Sequence, residues 1–346
     1  MFHVAITADY FDANGVPQFR DAGLAVLDLH PQIQHVAMKE FRSEIGPDQL
    51  ENAQGIITLN AGVTATTLTR SENLLAIARF GVGYNDIDVS ACTQADVLFF
   101  TMAGAVDRSM AEATVSWMLA LNHLVRAKDL AVREGRWDKT TKFIQNGREL
   151  RDHTFGCVGF GRIARATIKL LDGFGMNQPL SFDPLVEPSE AQSHGVRLVG
   201  LDELMAEADL ISVHCPLNDQ TRDLIGRREL DLMKPTAYIL NTARGGIINE
   251  DALFDALTRH QIAGAAIDVF VDEPFTTPHR FGQLDNILLA PHAVGLTYEC
   301  YRDIGTAACT GMVDLAQGRL PKSVINPEVV DRPSFQAKWK RLGVSE

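Results

Sequence analysis

The sequence predicts an α/β protein built on doubly wound parallel sheets, and three observations carry that expectation. Short apolar runs recur along the chain (HVAIT, GIITL, FGCV, LISV, YILN, AAI), and most are followed by a stretch of helical periodicity. Runs of that kind, without polar alternation, suit strands buried on both faces, as parallel strands are. One of them, Phe155–Val158, leads into Gly159, Gly161 and Ala164, spaced G-x-G-x-x-A at the start of a helix. At 346 residues the chain is also long for a single core, so two domains are expected.

The stretch 154–183 organises the rest. Gly159 permits a tight turn, Gly161 lets backbone approach a pyrophosphate, and the small Ala164 lets helix pack closely on strand. The helix N-terminus offers unpaired N–H groups to phosphates. A second short strand, Pro179 to Phe182, ends in Asp183, 24 residues beyond Gly159, where a carboxylate can accept hydrogen bonds from a ribose diol. The pattern is that of a Rossmann-like dinucleotide site. A carboxylate at 183 repels a 2′-phosphate, and Phe182, Pro184 and Leu185 supply no arginine to bind one. The expected cofactor is therefore NAD rather than NADP.

Composition narrows the partners. A net charge of −12 argues against nucleic acid or an anionic membrane as the main partner, yet leaves room for a small anion in a locally positive site. Cys92, Cys157, Cys215, Cys300 and Cys309 show no metal-ligand spacing, and Cys157 and Cys215 sit inside apolar strand patterns. A reducing, cytoplasmic compartment is expected. MFHVAIT reads directly as a strand with no signal-peptide pattern, and no apolar run approaches the roughly 18 residues of a membrane span.

Taken in order, residues 1–100 read as a small α/β domain: HVAIT a strand, PQFRDAG a short helix, LAVLDL a strand, an amphipathic stretch near Asp48–Asn52, GIITL a strand, LLAIARF leading into the turn Gly81-Val82-Gly83, and VLFFT a closing strand. Ser109 to Glu134 reads as one long helix, with Ser109 as N-cap and Glu112 completing a capping box, ended by Gly135. The polar stretch GRWDKTTKFIQNGRELRDH connects it to the dinucleotide motif. Strand and helix then alternate to residue 292, with NEDALFDALTRH a helix capped by Asn249. Thr297 to Gln317 is a second long helix, followed by a short polar tail. The simplest architecture inserts a nucleotide domain, residues 104–293, into a first domain made of 1–103 and 294–346, with the chemistry in the cleft between them.

Ligands of open parallel sheets bind beyond the carboxyl ends of the strands. Those positions hold His214 after LISV, Arg244 after YILNTA, Asp268 and Glu273 after AAI, and His292 after NILLAP. Arginine offers a bidentate fork to a carboxylate, and histidine titrates near neutrality, with an adjacent glutamate favouring its protonated form. The set can bind a carboxylate and move a proton. His214 is the rival of His292 for the proton-transfer role, but Cys215-Pro216-Leu217 points instead to an apolar wall against the cofactor.

VGFGRIA, HCPL, NTARGGIINEDAL, AAIDVFVDEP and APHAVGLTYE, in that order, resemble the D-isomer-specific 2-hydroxyacid dehydrogenases, and FGVGYNDIDV and SMAEATVSWMLAL look like that family's earlier signatures. The resemblance covers about residues 50–320 and implies an NAD domain inserted into a flavodoxin-like substrate domain, usually in a homodimer. It implies that Arg244 binds the substrate carboxylate and carbonyl, that His292 is the acid/base and that Glu273 is its partner. It places Asp268 beside the nicotinamide carboxamide, Arg162 and Ile163 at the pyrophosphate, and the backbone N–H groups of Val82 and Gly83 on the substrate carboxylate. Thr114, His214, Pro216, Thr221, Thr242, Ala243 and Gly295 complete the expected cofactor contacts, and Arg79 is a candidate for a second anionic group on the substrate. The substrate expected is a small 2-oxo or 2-hydroxy acid of the glyoxylate, hydroxypyruvate or 3-phosphoglycerate kind. Ala-Val-Gly-Leu follows His292 where many relatives have Ile-Gly-Gly-Ser, which alters the pocket wall, and the short tail has no room for the regulatory domain of some phosphoglycerate dehydrogenases. The resemblance also admits a different class of function, a non-catalytic NAD-sensing protein like the corepressors that share this fold and triad.

Overall fold

The computed structural model describes residues 1–137 and 146–342; residues 138–145, part of the expected polar connection, lie outside the described residues. The chain divides into two compact units, one of Met1–Val106 with Leu296–Glu346 and the other Asp107–Gly295. The divisions fall at 106/107 and 295/296, where 103/104 and 293/294 were expected.

The first unit is a five-stranded parallel sheet of β1 (Phe2–Ile6), β2 (Ile33–Ala37), β3 (Gly55–Thr58), β4 (Ala76–Arg79) and β5 (Leu98–Phe100). Its order, β2-β1-β3-β4-β5, is that of flavodoxin-like sheets. Ile56, Ile77 and Phe99 are fully buried in its core. Two early expectations fail here. LAVLDL is not a strand but holds a helical turn, Ala25–Asp28, while PQFRDAG, expected as a helix, forms an isolated bridge from Pro17 to Phe11 followed by bends. Close approach of two glycines decides this: a Cβ on Gly23 would lie 2.2 Å from the Gly305 carbonyl carbon, so the turn seats directly on the helix Tyr298–Ala316. The real strand, β2, was not expected, because at the sheet's edge only Ile33 of IQHVA is buried and no apolar run results.

The tail is also more than a polar end. Pro333–Leu342 is a helix, with Phe335 fully buried and Trp339 Nε1 donating to the Leu315 carbonyl at 2.9 Å.

The second unit is a seven-stranded parallel sheet: β6 (Phe155–Val158), β7 (Leu180–Phe182), β8 (Arg197–Leu198), β9 (Leu210–Val213), β10 (Tyr238–Asn241), β11 (Gly264–Ile267) and β12 (Ile287–Leu289). The order is β12-β11-β10-β9-β6-β7-β8, so the direction of winding reverses between β6 and β9. That reversal opens the crevice in which a dinucleotide binds. The helix expected over Ser109–Glu134 is two helices, Asp107–Asn122 and Val125–Arg133, broken at Leu124 in a left-handed conformation, φ 54°. The break has a tertiary cause: the Asn122 carbonyl accepts from Arg148 N–H at 2.8 Å, and a Cβ on Gly147 would lie 2.5 Å from that oxygen. Returning chain thus occupies the helix end. Ser109 is not the N-cap but lies inside the first of these helices, its hydroxyl donating to the Gly295 carbonyl.

Candidate active site

Alternation along the strands sets which side chains reach the carboxyl edge of the second sheet. Cys157, Leu210, Leu240 and Ala266 pack with Trp117, Met118 and Leu121 on one face, while Val158, Ile211, Ile239 and Ile267 pack on the other. Continued in steps of two, the first face presents His214, four residues beyond Leu210, and Thr242 and Asp268, two residues beyond Leu240 and Ala266, at the edge.

The phosphate end is built by backbone. Gly159 has φ 98°, and a Cβ there would lie 2.8 Å from Cys215 N, so only glycine fits between the two strand ends. Gly161 precedes the helix Arg162–Leu170, and a Cβ on it would meet nothing within 4 Å. That open approach to a helix N-terminus is the space a pyrophosphate needs. Asp183 accepts from Phe160 N at 2.8 Å through one carboxylate oxygen and from Leu185 N at 2.9 Å through the other. It therefore fastens the glycine turn, and each oxygen keeps a lone pair for a further donor. Arg162 pairs with Asp107 at 2.7 Å, and Ile163 is half-buried beside it. Ala164 is fully buried, as close helix packing requires.

Thr221 closes the turn after Pro216, donating to the Pro216 carbonyl at 2.6 Å and accepting from Asn218 N at 2.8 Å. Gly295 lies against Met110, and its carbonyl accepts from Ser109. Thr114 is fully buried, with its hydroxyl bonded to the Met110 carbonyl at 2.9 Å.

The proton-transfer candidates come together at the opposite end of the edge. His292 Nδ1 lies 2.7 Å from Glu273 Oε2, and Glu273 Oε1 accepts from Phe270 N at 2.5 Å. Burial pushes the Glu273 carboxyl up, but the hydrogen bonds from His292 and Phe270 and the charges of His292 and Arg244 outweigh it, leaving the group below its ordinary range. Glu273 is thus a carboxylate throughout the neutral range. His292 has φ 52°, a conformation that non-glycine residues adopt only when their surroundings hold them there. Asp268 does much of that holding. Its backbone carbonyl accepts from His292 N at 2.7 Å, and its carboxylate accepts from Ala293 N at 2.8 Å and Val294 N at 3.1 Å. Burial pushes the Asp268 carboxyl up.

Arg244 belongs to the same cluster, since its charge acts on Glu273. A Cβ on Gly245 would fall 1.9 Å from the Phe270 carbonyl oxygen, so glycine lets the arginine turn press against the segment carrying Glu273. Asn241, which sequence reasoning missed, shapes that turn: its side chain accepts from Ala243 N at 3.0 Å and donates to the Arg244 carbonyl at 2.8 Å. An asparagine at a strand end is itself a turn signal. His214 is of another character. Its Nε2 is buried, and burial pushes the ring down to about 4, so it is neutral near pH 7.

In the first unit, Gly81-Val82-Gly83 follows β4, with Gly81 at φ 141° and Val82 and Gly83 half-buried. Arg79 donates from its guanidinium to the Phe80 carbonyl at 3.0 Å.

Residues 115–294 match the family described as D-isomer specific 2-hydroxyacid dehydrogenase, NAD binding domain. The chain is 34% identical over 281 residues to a glyoxylate reductase of Thermofilum pendens, covering 80% of this chain and 82% of that protein. It is 33% identical over 291 residues to a D-3-phosphoglycerate dehydrogenase of Archaeoglobus fulgidus, covering 84% of this chain but 54% of that protein, so it spans about half that relative's length. A solved structure from Thermus thermophilus superposes with a TM-score of 0.80 at 26% identity, covering 94% of this chain and 100% of that one. A D-lactate dehydrogenase from Aquifex aeolicus, complexed with NAD and lactic acid, shares the fold with a TM-score of 0.78 at 24% identity, over 93% of this chain and 98% of that one. The chain belongs to the D-isomer-specific 2-hydroxyacid dehydrogenase family.

Proposed function

We propose that this chain is an NAD-dependent oxidoreductase that interconverts a small 2-oxo acid and its D-2-hydroxy acid, with His292 moving the proton. The observation that carries the reading is the 2.7 Å pair of His292 Nδ1 and Glu273 Oε2 beside Arg244. Glu273 fixes the imidazole through Nδ1 and leaves Nε2 for the substrate oxygen. NAD, when bound, supplies or accepts the hydride. Arg244 binds the substrate carboxylate and polarises the carbonyl, and Val82 and Gly83 offer backbone N–H groups to the same carboxylate. Asp183 reads the ribose, Gly159, Gly161, Arg162 and Ile163 the pyrophosphate, and Asp268 the nicotinamide side. His214, neutral by burial, is a cofactor neighbour rather than a proton donor.

Relatives named glyoxylate reductase and D-3-phosphoglycerate dehydrogenase bracket the substrate. The engagement of Arg79 with its own turn favours a substrate without a second anionic group, of the glyoxylate or hydroxypyruvate kind. A homodimer working in the cytoplasm belongs to the same proposal, and all five cysteines are free thiols, as that compartment requires.

The test is oxidation of NADH with glyoxylate, hydroxypyruvate, phosphohydroxypyruvate and pyruvate, ranked by kcat/KM. Turnover with the first two ahead of the phosphorylated acid is expected. Preference for the phosphorylated acid, lost on Arg79→Ala, would restore Arg79 as a tail reader.

A further inference from the structure

Glu273 is held by the segment that carries it, and that segment has little core of its own. Val271, Glu273 and Phe275 are exposed, and Glu273 Oε1 takes its backbone hydrogen bond from Phe270, three residues earlier. Whatever fixes the backbone at Phe270 and Val271 therefore fixes the carboxylate. Two side chains from outside this stretch do so. Glu250, at the start of the helix Glu250–Thr258, accepts from Val271 N at 2.8 Å through Oε1. Its Oε2 faces His279 Nε2 at 3.6 Å. His279 in turn sits among Phe270, Phe275 and Phe281, at ring-centroid distances of 4.9, 5.2 and 4.9 Å. Its Nδ1 accepts from Phe281 N at 3.3 Å, which assigns the ring proton to Nε2, toward Glu250.

Both members of this pair are well covered, at 18% exposure for the Glu250 side chain and 20% for His279, whereas the segment they hold is open. The arrangement places a second carboxylate–imidazole pair behind the first. A merely local ion pair would not also grip the backbone one residue from the Phe270 N–H that Glu273 uses.

We propose that Glu250 and His279 are positioning residues of the proton-transfer pair, holding the Phe270–Glu273 backbone so that the Glu273 carboxylate reaches His292. This rests on the reading that Glu273 acts through His292. Glu250 is asked for length rather than charge. An amide oxygen at the same reach still accepts from Val271 N–H, whereas a carboxylate one methylene shorter does not reach it.

The experiment follows the His292 ring signals by NMR on histidine-labelled full-length chain, assigned with His292→Gln. Wild type is titrated beside Glu250→Asp, Glu250→Gln, His279→Ala and Glu273→Gln, with NADH affinity as the control for folding. Glu250→Asp and His279→Ala are expected to move the His292 titration to lower pH by about half a unit or more, in the direction of Glu273→Gln, while Glu250→Gln, which keeps the bond from Val271 N–H but sets its NH2 against the His279 Nε2–H, moves it less than Glu250→Asp. With glyoxylate and NADH as probe substrates, kcat of Glu250→Asp should fall roughly three- to tenfold at unchanged KM for NADH. If Glu273→Gln moves the titration and Glu250→Asp does not, the positioning role is overturned. If Glu273→Gln itself moves nothing, the underlying pair is wrong and the proposal falls with it. Absence of turnover in the wild type would instead strike at the enzymatic reading alone, because the titration needs no activity.

Discussion

At the scale of single residues, the three charged groups of the cluster should leave distinguishable kinetic signatures. His292→Ala removes the proposed proton donor and should lower kcat by roughly 10²–10⁴. Arg244→Ala should raise KM as well as lower kcat, because in the proposed role it binds a carboxylate in the ground state and polarises the carbonyl in the transition state. Glu273 lies below its ordinary range, so at working pH it is the anion beside His292. That charge favours imidazolium, the form carbonyl reduction needs; Glu273→Gln removes it, and the pH above which reduction declines should move down. The oxidative direction needs neutral histidine and should suffer less. His214→Gln provides the contrast: His214 is pushed down to about 4 and is already neutral, so the declining limb should stay in place. A limb that moves with His214 and not with Glu273 would reverse the assignment of the two histidines.

At the scale of elements, one helix of the first unit was invisible in the sequence. The helix Pro333–Leu342 inserts Lys338, whose Nζ lies 2.9–3.1 Å from the carbonyls of Ser71, Leu74, Ala95 and Asp96, at the starts of β4 and β5. Lys338→Met would bury the stem and leave those oxygens without their donor, at a cost of about 1–3 kcal/mol. Urea unfolding should show a lowered midpoint, and a variant as stable as wild type would mean that water replaces the ammonium. No periodicity announces such a helix, since a lysine caged by backbone carbonyls reads in sequence as a surface charge. The same limit explains the other misses. Leu124 breaks a helix that has no glycine or proline there, because Arg148 takes the Asn122 carbonyl. The turn Ala25–Asp28 depends on Gly23 meeting Gly305, 282 residues away. What was legible had local causes: the glycine spacing at Gly159 and Gly161, buried apolar strands, and polar residues at strand ends, which parallel topology gathers on one edge. A threonine inside a helix, such as Thr114, bonds its own backbone whether or not a ligand is near, so it carries no such local signal.

For the molecule as a whole, the question is whether dinucleotide binding leads to turnover or is itself the output, as in an NAD sensor. Binding to the folded state alone raises stability by RT ln(1 + [L]/Kd), about 2.7 kcal/mol at a hundredfold excess over Kd, whether or not chemistry follows. NADH should therefore raise the melting temperature of the wild type, and NADPH at equal concentration should do so less, because with Asp183 in its proposed place at the ribose a 2′-phosphate would meet a carboxylate. Asp183→Ala should weaken NADH by loss of ribose hydrogen bonds, each typically about 1–3 kcal/mol. It also frees the N–H groups of Phe160 and Leu185, which loosens the glycine turn for both cofactors alike. The ratio of the two affinities isolates the charge term, and it should shift toward NADPH; an unchanged ratio would mean that the ribose contact is misplaced. The same samples then decide the class of function. If NADH stabilises the protein as expected and no 2-oxo acid oxidises it, binding without chemistry is the function and the enzymatic reading is wrong. Turnover that disappears in His292→Ala while the NADH-induced stabilisation persists would place the chemistry in the His292 cluster and the affinity in the glycine turn.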